Sequence, residues 1–342
     1  MISHNSEILF LYDARLCNPN GDPDEENRPR MDYETGRNLV SDVRLKRYLR
    51  DYWLTFSDQD WQKLKYEDPQ DIWVRREIQD GQPKTVTAKE RIDHLATQYK
   101  NSKAKKAAKD LVKDPEFLDF LKKRLLDLRL FGATIPIGGK GGGPGDSLTF
   151  TGPVQFTWGY SLNQVEILSS STITSTFAGR DVGGKGEYGT MGKDWRVKYS
   201  FLAFWGVVSA LRAKETGMDE RDLNFLDISI FEALPLLATT RSKIGQTPRL
   251  YLRVEYADAH TLVGDFREVL RLEQEEGLES IEDVKLDVSG LVDRLKDVKN
   301  QIHQVVYRVH PAFSDGKALV ETLRSELGQD KVKEVESVRS HD

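Results

Sequence analysis

The chain has 342 residues and a net charge of −5, with 38% hydrophobic and 31% charged residues. This length is enough for one large domain with insertions or for two domains. Its one cysteine, Cys17, excludes a disulfide framework and a cysteine-built zinc site, and it suits a reducing compartment. No signal peptide is recognisable, and the longest apolar stretch, 201–213, is too short to cross a bilayer. We therefore expect a soluble cytoplasmic protein.

The charge is distributed unevenly along the chain. From Ala257 onward the net charge is −7, whereas residues 1–256 carry a net charge of +2. Seven basic and three acidic residues lie between Arg28 and Arg50. Because salt screens charges beyond about 8 to 10 Å, a local basic surface is enough to contact phosphates. The acidity of the whole chain therefore does not exclude nucleic acid as a partner.

The first predicted elements are a strand, a polar loop and a helix. The apolar run 7–16 predicts a buried strand, and the loop "NPNGDPDEENRPR" at 18–30 follows it. An amphipathic helix is predicted over 41–53, with Ser41 as its N-cap. Residues 54–129 are mostly charged and helical in pattern, so we expect an insertion there rather than core.

The later part of the chain alternates between strands and helices. A glycine-rich loop is predicted at 138–147, and a long hairpin with a glycine-rich tip over 169–206. The other predicted elements are, in chain order, a strand over 148–162, a helix over 218–240, a strand over 248–256, a helix near 291–299, a strand over 303–311 and a charged tail. Strands separated by large excursions predict an α+β fold with insertions.

The opening loop has some of the residues of a calcium site. Asn18, Asn20, Asp22 and Asp24 occupy alternate positions, as in an EF-hand loop. Counting from Asn18 puts a proline where glycine is needed, and counting from Asn20 puts Met31 where the bidentate glutamate belongs. Both registers fail, so no metal is expected. Such proline-stiffened loops more commonly bond to their own backbone.

Nucleotide binding and catalysis have little support in the sequence. The G-x-G-x-x-G match at 184–189 lies between hairpin strands instead of opening a helix. The segment 138–147 lacks both the spacing of a P-loop and its Ser or Thr directly after the lysine. The six histidines are scattered, no cluster of them is expected, and no serine motif resembles a nucleophile elbow. We expect no cofactor and no catalytic residue, and we expect His303 and His310 to be structural.

The helix over 41–53 offers a surface for phosphate groups. One side of it is apolar, through Leu45, Tyr48, Leu49 and Tyr52. The opposite side is predicted to present three cations to solvent, namely Lys46, Arg47 and Arg50. The helix N-terminus adds N–H donors, and the proline-stiffened loop before it adds Arg28, Arg30 and Arg37. A solvated charged helix face is the ordinary alternative for this pattern.

Several motifs occur in a fixed order between residues 18 and 256. They are "NPNGDPDEENRPR", "VSDVRLKRYLR", "FTGPVQFTWGYSL", "TITSTF", "GTMGKDWRV" and "TRSKIGQTPRLYLRVEY". Together they resemble the backbone subunit of type I CRISPR interference complexes (Cascade), and within that family the type I-B branch. The resemblance covers about three quarters of the chain, and little of it is recognisable beyond Tyr256.

The resemblance implies an RRM-like, or ferredoxin-like, palm with a helical finger insertion and a β-hairpin thumb. The corresponding ranges are 1–53, 130–165, 196–256 and part of 257–342 for the palm, 54–129 for the fingers, 166–195 for the thumb and about 312–342 for a charged C-terminal tail. The paired aromatic residues of an RRM strand are missing from the sequence, so base stacking on the sheet is not expected.

The resemblance also implies which residues contact RNA. Guide phosphates would be bound by Asn20, Arg28, Arg30, Ser41, Arg44, Lys46, Arg47, Arg50, Arg241 and Lys243. In the thumb, Phe177 and Met191 would wedge into the guide–target duplex, with Lys193 and Arg196 near phosphates.

The implied function is that of a non-catalytic CRISPR RNA-binding backbone subunit. Such a subunit polymerises along the guide and presents it for pairing with target DNA. Its partners would be CRISPR RNA, the target DNA strand, further copies in a helical filament, and the guide 5′-end subunit, large and small subunits and guide-processing endonuclease of Cascade. The alternative is a type III-like subunit that cleaves target RNA with Asp22 or Asp24. A third interpretation is an autonomous nucleic-acid-binding protein outside any complex.

Overall fold

The computed structural model describes residues 1–79, 82–100, 111, 113–136, 147–169, 171–178 and 189–337. Its strands are β1 (Ser6–Cys17), β2 (Gly21–Asp22), β3 (Arg28–Pro29), β4 (Met31–Asp32), β5 (Arg37–Val40), β6 (Glu77–Gln79), β7 (Gln82–Lys84), β8 (Gly132–Pro136), β9 (Ser147–Thr151), β10 (Val154–Phe156), β11 (Gly159–Ser161), β12 (Thr172–Ala178), β13 (Gly189–Lys193), β14 (Val197–Val208), β15 (Gln246–Tyr256), β16 (Arg271–Leu272), β17 (Leu286–Asp287), β18 (Ile302–Val309) and β19 (Val332–Glu334).

The helices in these ranges are α1 (Asp42–Trp53), α2 (Asp58–Lys63), α3 (Ala88–Lys100), α4 (Pro115–Arg124), α5 (Leu126–Phe131), α6 (Ala210–Thr216), α7 (Glu220–Leu237), α8 (Ser289–Asp297) and α9 (Ser314–Leu327). None of the described helices combines the length and the apolar character that a membrane span requires.

A nine-stranded sheet forms the centre of the molecule. Its order is β19-β18-β15-β1-β14-β11-β5-β4, and β10 also pairs with β14. The pairs in this sheet are antiparallel except for β18 with β19. The expected mixture of helices with a central sheet is therefore observed.

The central strands are covered on both faces. Because strand residues alternate between faces, Phe10 and Tyr12 pack with α1 and α7, whereas Leu9 and Leu11 pack with α8 and α9. The predicted apolar side of α1 is buried in the first of these two cores. Asp219 caps the start of α7 in a capping box with Asp222.

A third apolar cluster forms a separate core in the predicted finger region. It joins α3, α4 and α5 through Leu95, Phe117 and Leu128. Ile135 of β8 belongs to the same cluster, and the paired strand β9 packs against it. The single strand predicted over 148–162 is instead three short strands, because β9 pairs with β8 while β10 and β11 join the central sheet.

The predicted hairpin over 169–206 is present as β12 paired with β13. Pairing runs from Thr172 opposite Lys193 to Ala178 opposite Gly189. The predicted tip between these strands lies outside the described residues, as do the side chains of Phe177 and Met191.

The expectation of a charged tail from about residue 312 is wrong for its described part. Helix α9 buries Leu319 and Leu323 in the second core. Strand β19 then pairs with β18, with Val332 opposite Val305. Helix α9 is amphipathic, with Glu321 exposed and Leu319 and Leu323 buried, which the charge count alone did not reveal.

The expectation that the histidines form no cluster is also wrong. The rings of His4 and His303 lie 4.9 Å apart, and His4 contacts Glu255. These residues are far apart in the sequence, so the sequence alone does not indicate that they meet in the fold.

Candidate nucleic-acid interface

The opening loop uses its acids to hold its own shape. The Asp22 carboxylate accepts a hydrogen bond from the Asp24 backbone N–H at 3.1 Å and pairs with Arg30 at 2.8 Å. Asp32 accepts hydrogen bonds from the Glu34 backbone N–H and the Thr35 hydroxyl. The bond from the Asp24 backbone to Asp22 fits the expectation that such a loop bonds to its own backbone.

Asn20 connects the loop to the start of α1. Its Oδ1 accepts hydrogen bonds from both the backbone N–H and the hydroxyl of Ser41, each at 2.9 Å. Ser41 has the extended backbone of an N-cap, but its side chain makes no capping bond. In this structure Asn20 and Ser41 therefore position the helix.

Three predicted phosphate ligands of α1 are already paired with acids. Lys46 pairs with Asp42 at 3.0 Å, Arg47 with Asp51 at 2.6 Å and Arg50 with Asp127 at 2.8 Å. Only Arg47 keeps a substantially exposed side chain, because Lys46 is 7% and Arg50 is 9% exposed.

The expectation that Lys46 and Arg50 face solvent is therefore wrong. Both cations lie 5.4 Å from the ring centroid of Phe131 at the end of α5. The insertion returns over this side of α1 and covers it. A helical wheel shows which residues share a face, but not what distant segment packs on that face.

Three other cations have no carboxylate partner among the described residues: Arg28, Arg44 and Lys243. The Nζ of Lys243 donates to the Asn18 backbone carbonyl at 2.6 Å. The Nε atoms of Arg28, Arg30 and Arg44 are buried without a hydrogen-bond partner in the described part of the chain. Because buried donors are nearly always satisfied, these N–H groups are suited to an external acceptor.

Aromatic rings hold the planes of these guanidinium groups. Arg28 lies over Trp195 at 4.9 Å from the ring centroid, and Arg44 lies over Tyr48 at 4.1 Å. Arg30 lies over Trp158 at 5.7 Å. Stacking on a ring reduces the freedom of an arginine before it binds a phosphate. The sequence prediction missed these aromatic partners, although Trp195 lies within one of the quoted motifs.

Lys243 lies where its positive charge is destabilised. Burial and the positive charge of Arg44 together lower the pKa of Lys243 from 10.5 to about 8. Two cations that repel each other without a nearby acid favour the binding of an anion between them. We call the group formed by Arg28, Arg44 and Lys243 the unpaired cation cluster.

A tight turn brings Lys243 to α1. Gly245 has φ +111°, and a Cβ there would lie 2.3 Å from the Arg15 carbonyl oxygen, so only glycine fits. The side chain of Gln246 donates to the Tyr48 hydroxyl at 3.0 Å. The two predicted RNA ligands of this turn, Arg241 and Lys243, therefore have different partners. Arg241 lies 3.3 Å from Asp194.

The base of the hairpin borders the same surface. Lys193 pairs with Glu26 of the opening loop at 2.7 Å. Arg196 pairs with Asp194 at 2.8 Å and donates to the Leu16 backbone carbonyl. Both predicted thumb cations therefore lie next to the loop, but each already has an acidic partner.

Comparison with known proteins gives matches over most of the chain. The family model described as "CRISPR-associated protein Cas7" matches residues 4–289. A "CRISPR-associated protein Cas7" from Haloferax volcanii is 34% identical over 315 residues, which cover 87% of this chain and 85% of the relative.

Two chains of solved complexes match at lower similarity. One, from a "CRISPR RNA-guided surveillance complex", has 14% identity, covers 92% of each chain and has a TM-score of 0.45. The other, from such a complex described as "pre-nicking", has 13% identity, covers 89% of this chain and 92% of its own, and has a TM-score of 0.42.

The family model spans the opening loop, α1 and the turn that carries Lys243, and the Haloferax volcanii relative covers 87% of the chain. They confirm the family resemblance that the ordered motifs predicted. The chain belongs to the Cas7 family of CRISPR-associated proteins.

Proposed function

We propose that this Cas7 protein is a CRISPR RNA-binding backbone subunit of a type I interference complex, and that its unpaired cation cluster binds the guide. The observation that carries the assignment of the site is the absence of an acidic partner for Arg28, Arg44 and Lys243 in the described residues. Elsewhere on this surface, the cations Arg30, Arg47 and Arg196 are neutralised within the protein.

The cluster is suited to the sugar–phosphate backbone rather than to bases. Its two arginines, Arg28 and Arg44, have buried Nε–H donors without a partner among the described residues, and phosphate oxygens are the matching acceptors. The aromatic rings near them stack on arginines, so these rings are occupied by the protein itself. Binding through phosphates is independent of sequence, which leaves the base edges of a guide available for pairing.

We propose that the regions of the chain correspond to the family architecture. The central sheet with α1 and α7 would be the RRM-like palm, the third apolar core the fingers, and β12 with β13 the thumb. The support is the separate core of the finger region and the antiparallel pairing of β12 with β13. In this assignment Phe177 and Met191 of the thumb wedge into the guide–target duplex.

The partners follow from the same proposal. They are the guide, the target DNA strand, further copies of this chain in a filament and the other Cascade subunits. The type I-B assignment is part of this proposal and rests on the motifs. We propose that the protein is not a nuclease, because Asp22 is engaged with Arg30 and the Asp24 backbone. The comparisons give no support to the type III-like alternative.

RNA binding by defined variants tests the proposal. Replacing Arg28 and Arg44 by alanine should weaken the binding of a CRISPR RNA by about tenfold or more, since a hydrogen bond to a charged group contributes roughly 1.5–3 kcal/mol. Lys123→Ala is the control, because it removes an exposed finger cation that pairs with Asp119. Unchanged affinity in the double variant, measured by fluorescence anisotropy, would show that the guide binds elsewhere.

A further inference from the structure

Two histidines and a glutamate meet at one end of the central sheet. His4 lies just before β1, separated from it by Asn5, Glu255 lies near the end of β15, and His303 lies at the start of β18. One ligand atom from each of the three lies within 4.8 Å of the others. The closest approach is 3.1 Å, between His4 Nδ1 and Glu255 Oε1.

A β-bulge places His303 in this group. Glu255 is opposite Gln304 and Tyr256 is opposite Ile302, so His303 is an extra residue without a partner across the ladder. In a regular strand His303 and Gln304 would point to opposite faces. The bulge interrupts that alternation, and the His303 ring lies against the His4 ring at 4.9 Å. Bulges commonly redirect a side chain next to a functional site.

Hydrogen bonds fix one carboxylate oxygen of Glu255 and leave the other oxygen facing the histidines. Oε2 of Glu255 accepts from Arg253 at 2.8 Å and from Gln304 at 2.9 Å. Arg253 is itself bound by both oxygens of Asp227, so its charge is largely neutralised. This leaves Oε1 facing the imidazoles. Partners that fix the second oxygen in this way are typical of metal-binding carboxylates.

The surroundings suit a cation. Glu255 is buried, His4 is partly exposed and His303 is exposed. Glu220, in the first turn of α7, also lies within electrostatic reach: burial and then the negative charge of Glu255 raise the pKa of Glu220. A hydrogen bond between His4 and Glu255 with the His303 ring packed beside it, and no ligand, is the simpler explanation of the contacts. It gives no reason for the bulge or for the two donors on Oε2.

We propose that His4, Glu255 and His303 form a binding site for a divalent transition-metal ion of the zinc class. Two neutral imidazoles and one carboxylate match the ligands of zinc, whereas magnesium and calcium prefer oxygen ligands alone. Bonds of about 2.0–2.2 Å at a tetrahedral ion need ligand atoms about 3.4 Å apart. The three ligand atoms, which lie within 4.8 Å of one another, would have to approach by side-chain rotation to reach that spacing, and His303 is on the exposed side, where water could complete the coordination.

The bound ion would connect three parts of the chain that are far apart in sequence. It would hold the N-terminal segment to β15 and β18. Since the ligands come together only in the folded protein, metal binding stabilises the folded state. The role assigned to the ion is therefore structural and independent of guide binding.

Calorimetric titration of the metal-free full chain with zinc chloride tests the site. The wild type should bind one zinc ion and should melt at a higher temperature with zinc than without it. His4→Gln and His303→Gln should each lose this binding and the shift in melting temperature. Gln304→Ala should bind about 10- to 100-fold more weakly, because it removes a partner that orients Glu255.

The matched control is His94→Gln, which changes a histidine that lies 3.3 Å from Glu77 in the finger region. It should bind zinc as the wild type does. Because His4 and His303 are at least partly exposed, their variants should fold, and circular dichroism checks this. Zinc binding of equal affinity in wild type and in folded His4→Gln, or no binding by the wild type, would overturn the proposal.

Discussion

Arg44 and Lys243 lie within electrostatic reach of each other although residues 44 and 243 are far apart in the chain, and the charge of Arg44 lowers the pKa of Lys243. No carboxylate pairs with either of them in the part of the chain that the structure describes. The repulsion between these two cations raises the free energy of the unbound protein, and a bound anion would reduce it. The lack of an acidic partner distinguishes the unpaired cation cluster from the many nearby cations that are neutralised.

The first prediction concerns pH. Phosphate binding should raise the pKa of Lys243 from about 8 toward or above its ordinary value of 10.5, so binding takes up a proton above pH 8. Guide affinity should be constant below pH 7 and fall about tenfold by pH 9. Anisotropy titrations at fixed ionic strength measure this fall.

Lys243→Arg is the control for the pH experiment. Arginine stays charged throughout this range, so the variant should bind with little dependence on pH. The same pKa shift makes protonated Lys243 destabilising for the fold, and this cost should disappear as the pH rises from about 8 to 10.5. A wild-type affinity that does not change between pH 7 and 9 would contradict the assignment of Lys243.

The second prediction concerns salt. Arg28→Ala with Arg44→Ala should weaken the binding of unrelated guide sequences equally. It should also reduce the slope of log affinity against log salt by about 0.7 for each lost phosphate contact on a single strand. Titrations with two guides of unrelated sequence at several salt concentrations measure both effects. Selective loss for one guide would indicate base recognition instead.

The third prediction separates stability from binding on α1. Arg50→Ala leaves the buried Asp127 carboxylate without its cation, so we expect a loss of about 3–5 kcal/mol in the free energy of unfolding. Arg47→Ala removes only an exposed pair with Asp51 and should cost roughly 0–1 kcal/mol. Urea unfolding of the two variants gives the comparison. Equal stabilities would mean that Arg50 is not the buried partner of Asp127.

The fourth prediction is the absence of nuclease activity. Assembled complex incubated with complementary RNA and magnesium or manganese should leave the RNA intact, because Asp22 serves the loop through Arg30 and the Asp24 backbone. The readout is a denaturing gel. Regularly spaced cuts that disappear in Asp22→Ala or Asp24→Ala would place the protein with the type III-like subunits.

The fifth prediction concerns the hairpin. Ala178 and Gly189 are directly opposite each other, so an Asn-Gly turn can replace residues 179–188 without altering the paired strands. The shortened protein should keep its melting temperature and lose ordered assembly on guide RNA, seen as loss of the large species in size-exclusion chromatography.

A second segment of the same length provides the control for this deletion. Pro136 and Ser147 are also opposite each other, so residues 137–146 can be replaced by the same Asn-Gly turn. That variant should still assemble. Full assembly by the protein lacking 179–188 would show that the hairpin is not a thumb.

The local elements of the fold could be predicted from the sequence. The apolar periodicity of α1 and the apolar runs of β1 and β15 depend on neighbouring residues, and each was found where expected. The motifs also contain Arg28, Arg44 and Lys243, the cations for which we propose guide binding. These features are encoded within a few residues of each other.

The errors concern contacts between distant segments. Asp127, which neutralises Arg50, lies 77 residues away, and no periodicity in α1 reports its presence. Trp195 and Trp158 reach the arginines of the opening loop only through the fold. The same holds for His4 and His303, which the order of strands β1, β15 and β18 brings together.

The central sheet ends in very short strands on both sides. Strand β4 at one edge has two residues, and β19 at the other has three and lies along the longer β18. Short edge strands offer few open backbone groups, which protects a protein against uncontrolled growth of its sheet into a neighbouring molecule. In the filament that we propose, neighbouring copies of this chain would therefore lie side by side without joining their sheets into one continuous β-structure.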